Sequence, residues 1–563
     1  MPSHKIVRIP SPDLARQDLL HQALGISRLC AQVLINRGIS DSDEGRRFLT
    51  AAPAYFSDPF SFTEMPVAVK LIKKAIQLNA PILVHGDYDV DGITSLCLVK
   101  TTLERMGARV EHYIPHRIRE GYGLNKNIVS VVKERGVKLV ITVDCGTNSE
   151  AQIQALRNEN IEVVITDHHE PGKKAHVSSA SAVINPKIEG SGFAFRELAG
   201  VGVAYKLCQA LTGSSLEDDL DLVCLGTIAD AVPLIGENRI IAKQGLLRIA
   251  ATRRLGLKVL MEKSRIAGKK LKTEAVTFIL APRINACGRL DTAETALDLL
   301  LARTGEEAEL RAGKLEACNR QRQKIEGEIM EEAYALISRE VHFKDHTVMV
   351  LGKEGWHLGV LGVVASKLAD RYHRPVILIS MAQGLCRGSG RSIKNFHLFQ
   401  GVAQCSDLLE GFGGHQHAVG MTIPRENIDT FRHKINDHAR QTLMVEDLLP
   451  SVDVDMELTL KEMQETFIRE LEQLEPFGIG NPRPSFYLRA LRLKGQPRIL
   501  TRETLKFWVT DGKQTAQAIA FGMADMYESL LAANSFDLVV HPKIDSWQEM
   551  ESVILEVEEI FLK

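Results

Sequence analysis

Acids and histidines gather at a few places in this sequence, spaced in a way that suits metal chemistry. His85, Asp87, Asp89 and Asp91 follow the apolar run Ile82–Val84, Asp144 follows Leu139–Val143, and Asp167, His168 and His169 follow Val163–Thr166. A further acid, Asp230, ends an apolar stretch, LGTIADAVPL, where charge is out of place. Carboxylates packed together raise one another's pKa values, and a bound cation removes that penalty. Carboxylate oxygen with imidazole nitrogen suits Mn2+ or Mg2+, and without cysteine pairs a structural zinc is disfavoured. The donors exceed the needs of one ion. Two ions about 3.5–4 Å apart would activate a water and clamp a phosphoryl oxygen. Taken singly, a DxD is an ordinary helix cap and a His-His pair an ordinary surface feature. The argument rests on strand-end placement three times over.

The positioning elements follow from the pattern. The runs 82–84, 110–114, 139–143 and 163–166 alternate with helical stretches near 93–106, 126–135 and 149–159. Strands alternating with helices predict βαβ units and a parallel sheet. Functional groups in such sheets lie at the carboxyl ends of the strands. Helix is predicted from about 200 to 335, ending in a charged connecting helix over 315–337. A second α/β segment starts near Thr347, with VMVLG and PVILIS as strands flanking the helix VLGVVASKLADRY. From about 450 the runs LKFWVTD, TAQAIAF, FDLVVHPKI and SVILEVEEI alternate as strands do, which predicts a small antiparallel barrel or sandwich. The expected division is an N-terminal helical region (1–60), a catalytic domain (61–235), a helical connector (236–340), a second α/β domain (341–445) and the β domain (446–563).

HGDYDVDG, VDCGT, TDHHEP and GTIADAVPL together resemble the four motifs of the DHH phosphoesterase superfamily. YIPHRIREGYGLN, PRINACGRLDTAETALDLLL, WHLGVLGVVASKLADRYHRPVI, GSGRS, FGGHQHAVG and EPFGIGNPRP are similar to its exonuclease members that act on single-stranded DNA. The likeness runs from about residue 60 to the C-terminus. It implies a DHH domain, a connecting helix, a DHHA1 domain and an OB-fold. It also implies 5′→3′ removal of 5′-mononucleotides with Mg2+ or Mn2+, in DNA repair and recombination. By motif position, Asp87, Asp89, Asp91, Asp144, His168 and Asp230 would be metal-site residues. His85 and His169, with Asp91, would be the catalytic set, ligating or orienting water or substrate. Two departures stand out: IDSWQEMES lacks an expected Asn, and Cys287 replaces a small residue in PRINACGRL.

Gly388, Ser389, Gly390 and Arg391 read as a glycine-rich turn able to hold an anion, and Gly413, Gly414 and His415 give a similar signal. On the resemblance, Arg117, Ser389 and Arg391 would hold a 5′-terminal phosphate, and Arg283 and Arg289 would meet the strand further along. Arg283 and Arg289 could equally pin a loop. Trp356 and His357 are either a stacking platform or core. Phe507 is expected in the barrel core, and Trp508 and Trp547 are open between core and base stacking. Arg489, Arg492, Lys494, Arg498 and Lys506 are either a DNA-tracking set or a solvated face.

Composition narrows the field. Hydrophobic residues make up 45% and charged residues 25%, as in folded proteins, and the net charge of −2 allows only a local basic surface for nucleic acid. Nine widely spaced cysteines without a CxxC argue for a reducing compartment. No signal peptide or membrane-length apolar run is evident, so a cytoplasmic protein is expected. Expected partners are single-stranded DNA and, by implication, a single-strand-binding protein and a helicase. The rival functions are a DHH phosphodiesterase on short oligonucleotides or cyclic dinucleotides, and a non-catalytic nucleic-acid-binding protein. The C-terminal stretch disfavours the first and the intact acids the second.

Overall fold

The computed structural model describes residues 5–172, 179–501, 503–547 and 550–563. Two compact units emerge. One comprises residues 58–230 and 247–450, the other residues 5–57, 231–246 and 451–563.

The first unit opens with a five-stranded, all-parallel sheet. Its strands are β1 (Ile82–Gly86), β2 (Val110–Tyr113), β3 (Leu139–Val143), β4 (Glu162–Thr166) and β5 (Ala182–Ile184), in the order β2-β1-β3-β4-β5. β1 and β3 are buried at every residue, because helices cover both faces and leave no polar side. Leu83, Val140 and Val163 pack on the helices Ile128–Glu134 and Glu150–Asn158. α1 (Val90–Arg105) packs against α2 (Gly200–Thr212) and α3 (Leu220–Ala229). β5 was not anticipated. Three residues carry too little pattern to announce a strand.

α4 (Ala281–Leu290) leads towards α5 (Gly305–Glu340), a single helix of 36 residues. α5 starts ten residues before the predicted connector, at a capping box formed by Thr304 and Glu307. A second, mixed sheet follows: β6 (Met349–Glu354), α6 (Leu358–Tyr372), β7 (Val376–Met381), β8 (Leu385–Arg391), β9 (Gly411–His415) and β10 (Ala418–Pro424), in the order β9-β10-β8-β7-β6. The glycine-rich turn predicted at Gly388–Arg391 is therefore a strand, as are Gly413–His415. A Cβ at Gly390 would lie 2.9 Å from Leu398 and Val419, so the glycines here serve close packing, not bending. The pleat then sends Ser389 and Arg391 to the opposite face.

In the second unit, β11 (Met456–Leu458), β12 (Phe486–Leu493), β13 (Arg498–Thr501), β14 (Thr504–Thr510), β15 (Thr515–Phe521), β16 (Phe536–Trp547) and β17 (Met550–Leu562) run in the order β11-β12-β16-β17-β15-β14-β13. A further β12–β14 pairing closes a barrel. Most pairs are antiparallel, but β15–β17 and β11–β12 are parallel. Phe507 is in the barrel core, whereas Trp508 is 48% exposed. The side chain of Trp547 and residues 548–549 of IDSWQEMES lie outside the described residues. The N-terminal helices Leu14–Leu24, Arg28–Asn36 and Ser42–Thr50 are as helical as expected, and they bury Leu20, Leu34 and Phe48 in one core with Phe467, Phe486 and Phe507. Arg239 is buried there with no carboxylate pairing it among the described residues: it donates to the carbonyls of Phe48 (2.7 Å) and Glu475 (3.0 Å) and stacks on the Phe48 ring. Among the described residues no helix is long and apolar enough to cross a membrane.

Candidate metal centre and phosphate pocket

The first acidic run turns sharply from β1 into α1. Asp89 caps α1, accepting from the backbone N–H of Asp91 (3.0 Å) and Gly92 (3.1 Å). Gly92 is required, since a Cβ there would sit 2.5 Å from the Asp87 carbonyl oxygen. Asp91 reaches across to α2 and accepts from the N–H groups of Gly200 (2.7 Å) and Val201 (2.8 Å), where the helix terminus favours negative charge. Burial, and then Asp89, nevertheless push Asp91 up to about 7.

Asp144 follows β3 in the left-handed region, at φ 59°. Its carboxylate lies against α2 so closely that a Cβ at Gly200 would be 2.5 Å from Oδ1. His168 follows β4, and its Nε2 lies 3.2 Å from Asp144, 3.6 Å from Asp230 and 3.9 Å from Asp91. Three sets of donor atoms converge within 4.8 Å of one another: Asp87–Asp89–Asp144, Asp91–His168–Asp230 and Asp144–His168–His169. The first two share no residue, and the third links them.

The donor chemistry fits divalent cations. Among the described residues, neither ring nitrogen of His168 makes a hydrogen bond, nor do Asp87 Oδ1 and Asp144 Oδ1, although all are buried. Burial and the neighbouring His169 depress His168 to about 3, so it is a neutral imidazole with a free lone pair. Burial and the neighbouring carboxylates raise Asp87, Asp144 and Asp230 well above the usual range. Unpartnered acceptors that repel one another make a site for positive charge.

His169 is held differently. Its Nδ1 lies 2.7 Å from Asp167 and 2.9 Å from the Tyr122 hydroxyl, which also donates to the Asp144 carbonyl (3.1 Å). Burial opposes charge on His169, but the bond to Asp167 outweighs it and raises its pKa. Burial likewise opposes ionisation of Asp167, yet its contacts with His169 hold it below the usual range. The result is a histidine poised to carry a proton beside the acid cluster. His85 belongs to none of the three donor sets; it is fully buried, with Nδ1 3.6 Å from Cys145 Sγ.

Next to the acids lies a cationic pocket. Arg117 stacks on Tyr88, 4.4 Å from the ring centre. Arg391 donates to the Gly390 carbonyl (2.8 Å) and lies 3.4 Å from Ser389 Oγ. Arg289 reaches the Gly359 carbonyl at 3.3 Å. Among the described residues none of these three has a carboxylate within ion-pairing distance. Burial, then Arg117 and Arg391, lower Arg289 to about 9, and burial and Arg117 lower Arg391. Burial and Arg391 lower His415. Partly buried guanidiniums that repel one another, with no paired carboxylate among the described residues, describe an anion site. Arg283 is otherwise engaged, paired with Glu316 on α5 (2.8 Å) and donating to the Ile279 carbonyl. Trp356 is core, with its indole N–H bonded to Glu332, and His357 caps α6.

Known proteins match this architecture along its length. Residues 81–227 match the DHH family N-terminal domain, 345–441 the DHHA1 domain, and 454–559 the RecJ OB domain. The single-stranded-DNA-specific exonuclease RecJ of Bacillus subtilis is 37% identical over 98% of this chain and 70% of its own. The chain belongs to the RecJ family. Its Dickeya dadantii member is 34% identical, over 88% of this chain and 90% of its own. The crystal structure of RecJ from Thermus thermophilus in complex with Mn2+ superposes with a TM-score of 0.84 at 28% identity, covering 99% of this chain and 79% of that one.

Within this RecJ-family site, the structure brings together Asp87, Asp89, Asp91, Asp144, His168, His169 and Asp230, and beside them Arg117, Arg289, Ser389, Arg391 and His415. Sequence reasoning gave no role to Tyr122, Tyr88 or Lys187, or to Asp167 behind His169. Lys187 bears on Asp230, His168 and His415. Asp167 was legible as part of TDHHEP, and Lys187 as part of INPK. The tyrosines stand in HGDYDVDG and YIPHRIREGYGLN, but their partners were not legible, because they depend on how the chain after β1 and after β2 folds back.

Proposed function

We propose that this chain is a 5′→3′ exonuclease that hydrolyses single-stranded DNA to 5′-mononucleotides. The observation that carries the reading is the carboxylate-free pocket of Arg117, Arg289 and Arg391 beside two donor sets linked through Asp144 and His168. Asp87, Asp89 and Asp144 would hold one Mn2+ or Mg2+, and Asp91, His168 and Asp230 the other. Bound there, the ions supply an activated water and neutralise charge on the phosphoryl group. The chain's own residues do the rest. Asp91 fixes α1 to α2, so the two donor sets keep their spacing. His169, its proton held at Nδ1 by Asp167, presents Nε2 to a phosphate oxygen. Ser389 and Arg391, backed by Arg117 and Arg289, grip a terminal phosphate, and His415 closes the pocket. Such a grip sets polarity, because only a 5′ end brings a terminal phosphate there with the first phosphodiester over the acids.

A single-strand-binding protein and a helicase are the partners this activity calls for, since the substrate must be unwound and held. Nine widely spaced cysteines, eight of them buried, support a reducing, cytoplasmic setting.

The test compares oligonucleotides that differ only in a 5′-phosphate or 5′-hydroxyl. The phosphorylated strand should be cut about tenfold faster or more, since a hydrogen bond to a charged group is worth about 1.5–3 kcal/mol. Arg391→Ala should erase the difference. Equal rates in the wild type would sink the pocket.

A further inference from the structure

One pair of side chains near the site serves neither metal nor phosphate. Cys287 on α4 and Cys318 on α5 face each other with their sulfurs 2.8 Å apart. That lies between a covalent S–S bond of about 2.05 Å and ordinary non-bonded packing. Eight of the nine cysteines are buried, and Cys318 alone is partly exposed. An oxidant arriving from solvent therefore meets Cys318 first. Lys314 lies one turn before Cys318 on α5, and its charge acts against the rise that burial and Cys318 impose on the Cys287 thiol.

We propose that Cys287 and Cys318 are a site of reversible oxidation by hydroperoxides, and that the disulfide they form restrains the phosphate-gripping helix. The Cys318 thiolate attacks the peroxide oxygen, forming an S–O bond and breaking O–O; with hydrogen peroxide, the hydroxide set free takes up the proton that Cys318 had given to solvent and leaves as one water. Cys287 sulfur then attacks Cys318 sulfur, forming S–S and breaking S–O. The Cys287 proton leaves with the departing hydroxide as a second water. Two thiols and one peroxide become one disulfide and two waters. Burial raises the Cys287 thiol, which keeps it from reacting alone and leaves it to resolve the Cys318 intermediate.

The consequence follows from what α4 carries. Arg289 lies two residues beyond Cys287, and Gly288 between them is packed so tightly that a Cβ there would be 3.0 Å from the Tyr88 carbonyl oxygen, between Asp87 and Asp89. The Arg289 carbonyl is packed equally hard on α6, where a Cβ at Gly359 would be 2.0 Å away. Closing the sulfurs by roughly 0.8 Å to bonding distance pulls α4 towards α5 and away from these contacts. Reacting groups misplaced by such amounts lose rates of up to about 100-fold.

This effect on rate rests on the proposed nuclease activity; the thiol chemistry does not. Reduced full-length protein, freed of metal with a chelator, is treated with hydrogen peroxide, alkylated and digested with trypsin without reductant. Peptides Ile284–Arg289 and Leu315–Arg320 should appear joined, two hydrogens lighter than their sum, while the other seven cysteines carry the alkyl group. Assayed with Mg2+ after the oxidant is removed, the oxidised protein should degrade single-stranded DNA about tenfold more slowly and recover with dithiothreitol. Cys318→Ser and Cys287→Ala should cut at the reduced wild-type rate before and after peroxide. Cys318→Ser, at the partly exposed position, decides the matter if Cys287→Ala does not fold. Absence of the joined peptide overturns the proposal, as does a joined peptide with an unchanged rate or an equal peroxide loss in Cys318→Ser. If the reduced protein cuts no DNA, the activity reading fails while the peptide map still decides the thiol pair.

Discussion

Asp144 carries more constraints than any other residue of the site. It belongs to two donor sets, occupies a left-handed backbone position and touches α2. Replacement by Asn keeps the charge-free shape and a side chain that tolerates positive φ, whereas Ala adds backbone strain. Asp144→Asn should fold normally, abolish hydrolysis and lose the Mn2+-induced rise in melting temperature. Near-wild-type turnover with Mn2+ would refute the assignment. The acids also predict a pH signature. Burial and Asp89 raise Asp91 from 3.8 to about 7 in the folded, metal-free protein. Between those values the folded state holds a proton that the unfolded state has lost, so stability falls as pH rises through that window. Burial and the neighbouring carboxylates shift Asp87, Asp144 and Asp230 the same way. His85 and His168, held neutral by burial, act in the opposite sense below about pH 6.5, so the comparison is made above it: chelator-treated protein should melt higher at pH 6.5 than at pH 8, and Mn2+ should raise the melting temperature more at pH 8. A metal-free melting temperature that rises over that range would contradict the repulsion argued here. The donor residues were legible because motif acids at strand ends need only local pattern. The absence of counterions around Arg289 and Arg391 was not, because it depends on which distant chains pass nearby.

At the level of elements, α2 is the reference surface for the metal centre. Its first N–H groups hold Asp91, and its first residue touches Asp144. Gly200→Ala would force the helix terminus and the Asp144 carboxylate apart. The expected result is a fall in kcat of about 100-fold with an unchanged far-UV circular dichroism spectrum. Wild-type kcat would show that the contact yields freely. The parallel sheet was readable from its apolar runs, since strands covered on both faces need no alternation. β8 was misread as a turn because two glycines and a serine look alike whether the chain bends or is closely covered. Only the packing of Leu398, Val419 and Ile377 around Gly390 separates those cases.

Across the molecule, the C-terminal barrel shares its core with helices from the other end of the chain. Leu20, Leu34 and Phe48 lie in one cluster with Phe486, Leu488 and Phe507. Deleting residues 451–563 would strip those helices of their partners, and the truncated protein should aggregate. A soluble, monomeric truncation would contradict this. The role of the barrel in holding DNA is better tested in place. Lys506 and Trp508 alternate outward on β14, with Arg498 opposite Lys506 on β13. Trp508→Ala should weaken binding of long single strands by about 1–3 kcal/mol. Lys506→Ala should lower the salt slope by about 0.7. Cutting of very short oligonucleotides should be unchanged in both. Unaltered affinity for long strands in the two variants would leave the barrel as a brace alone. The strand pattern of this unit was readable in the sequence, but the shared core was not, because each half supplies an ordinary amphipathic face and neither names its partner.

That shared core also sets the order in which the protein is made. The helices of residues 14–50 leave the ribosome well before the strands that cover them, which lie beyond residue 450. Residues 58–450 are synthesised in between, which takes roughly 20–80 s at about 5–20 residues per second. Throughout that interval the sheet of β1–β5 can complete itself from contiguous chain, while Leu20, Leu34 and Phe48 stay wet. A nascent chain stalled before residue 451 therefore carries a finished catalytic sheet and three unclaimed amphipathic helices, which makes it a client for holding chaperones until residues 451–563 follow.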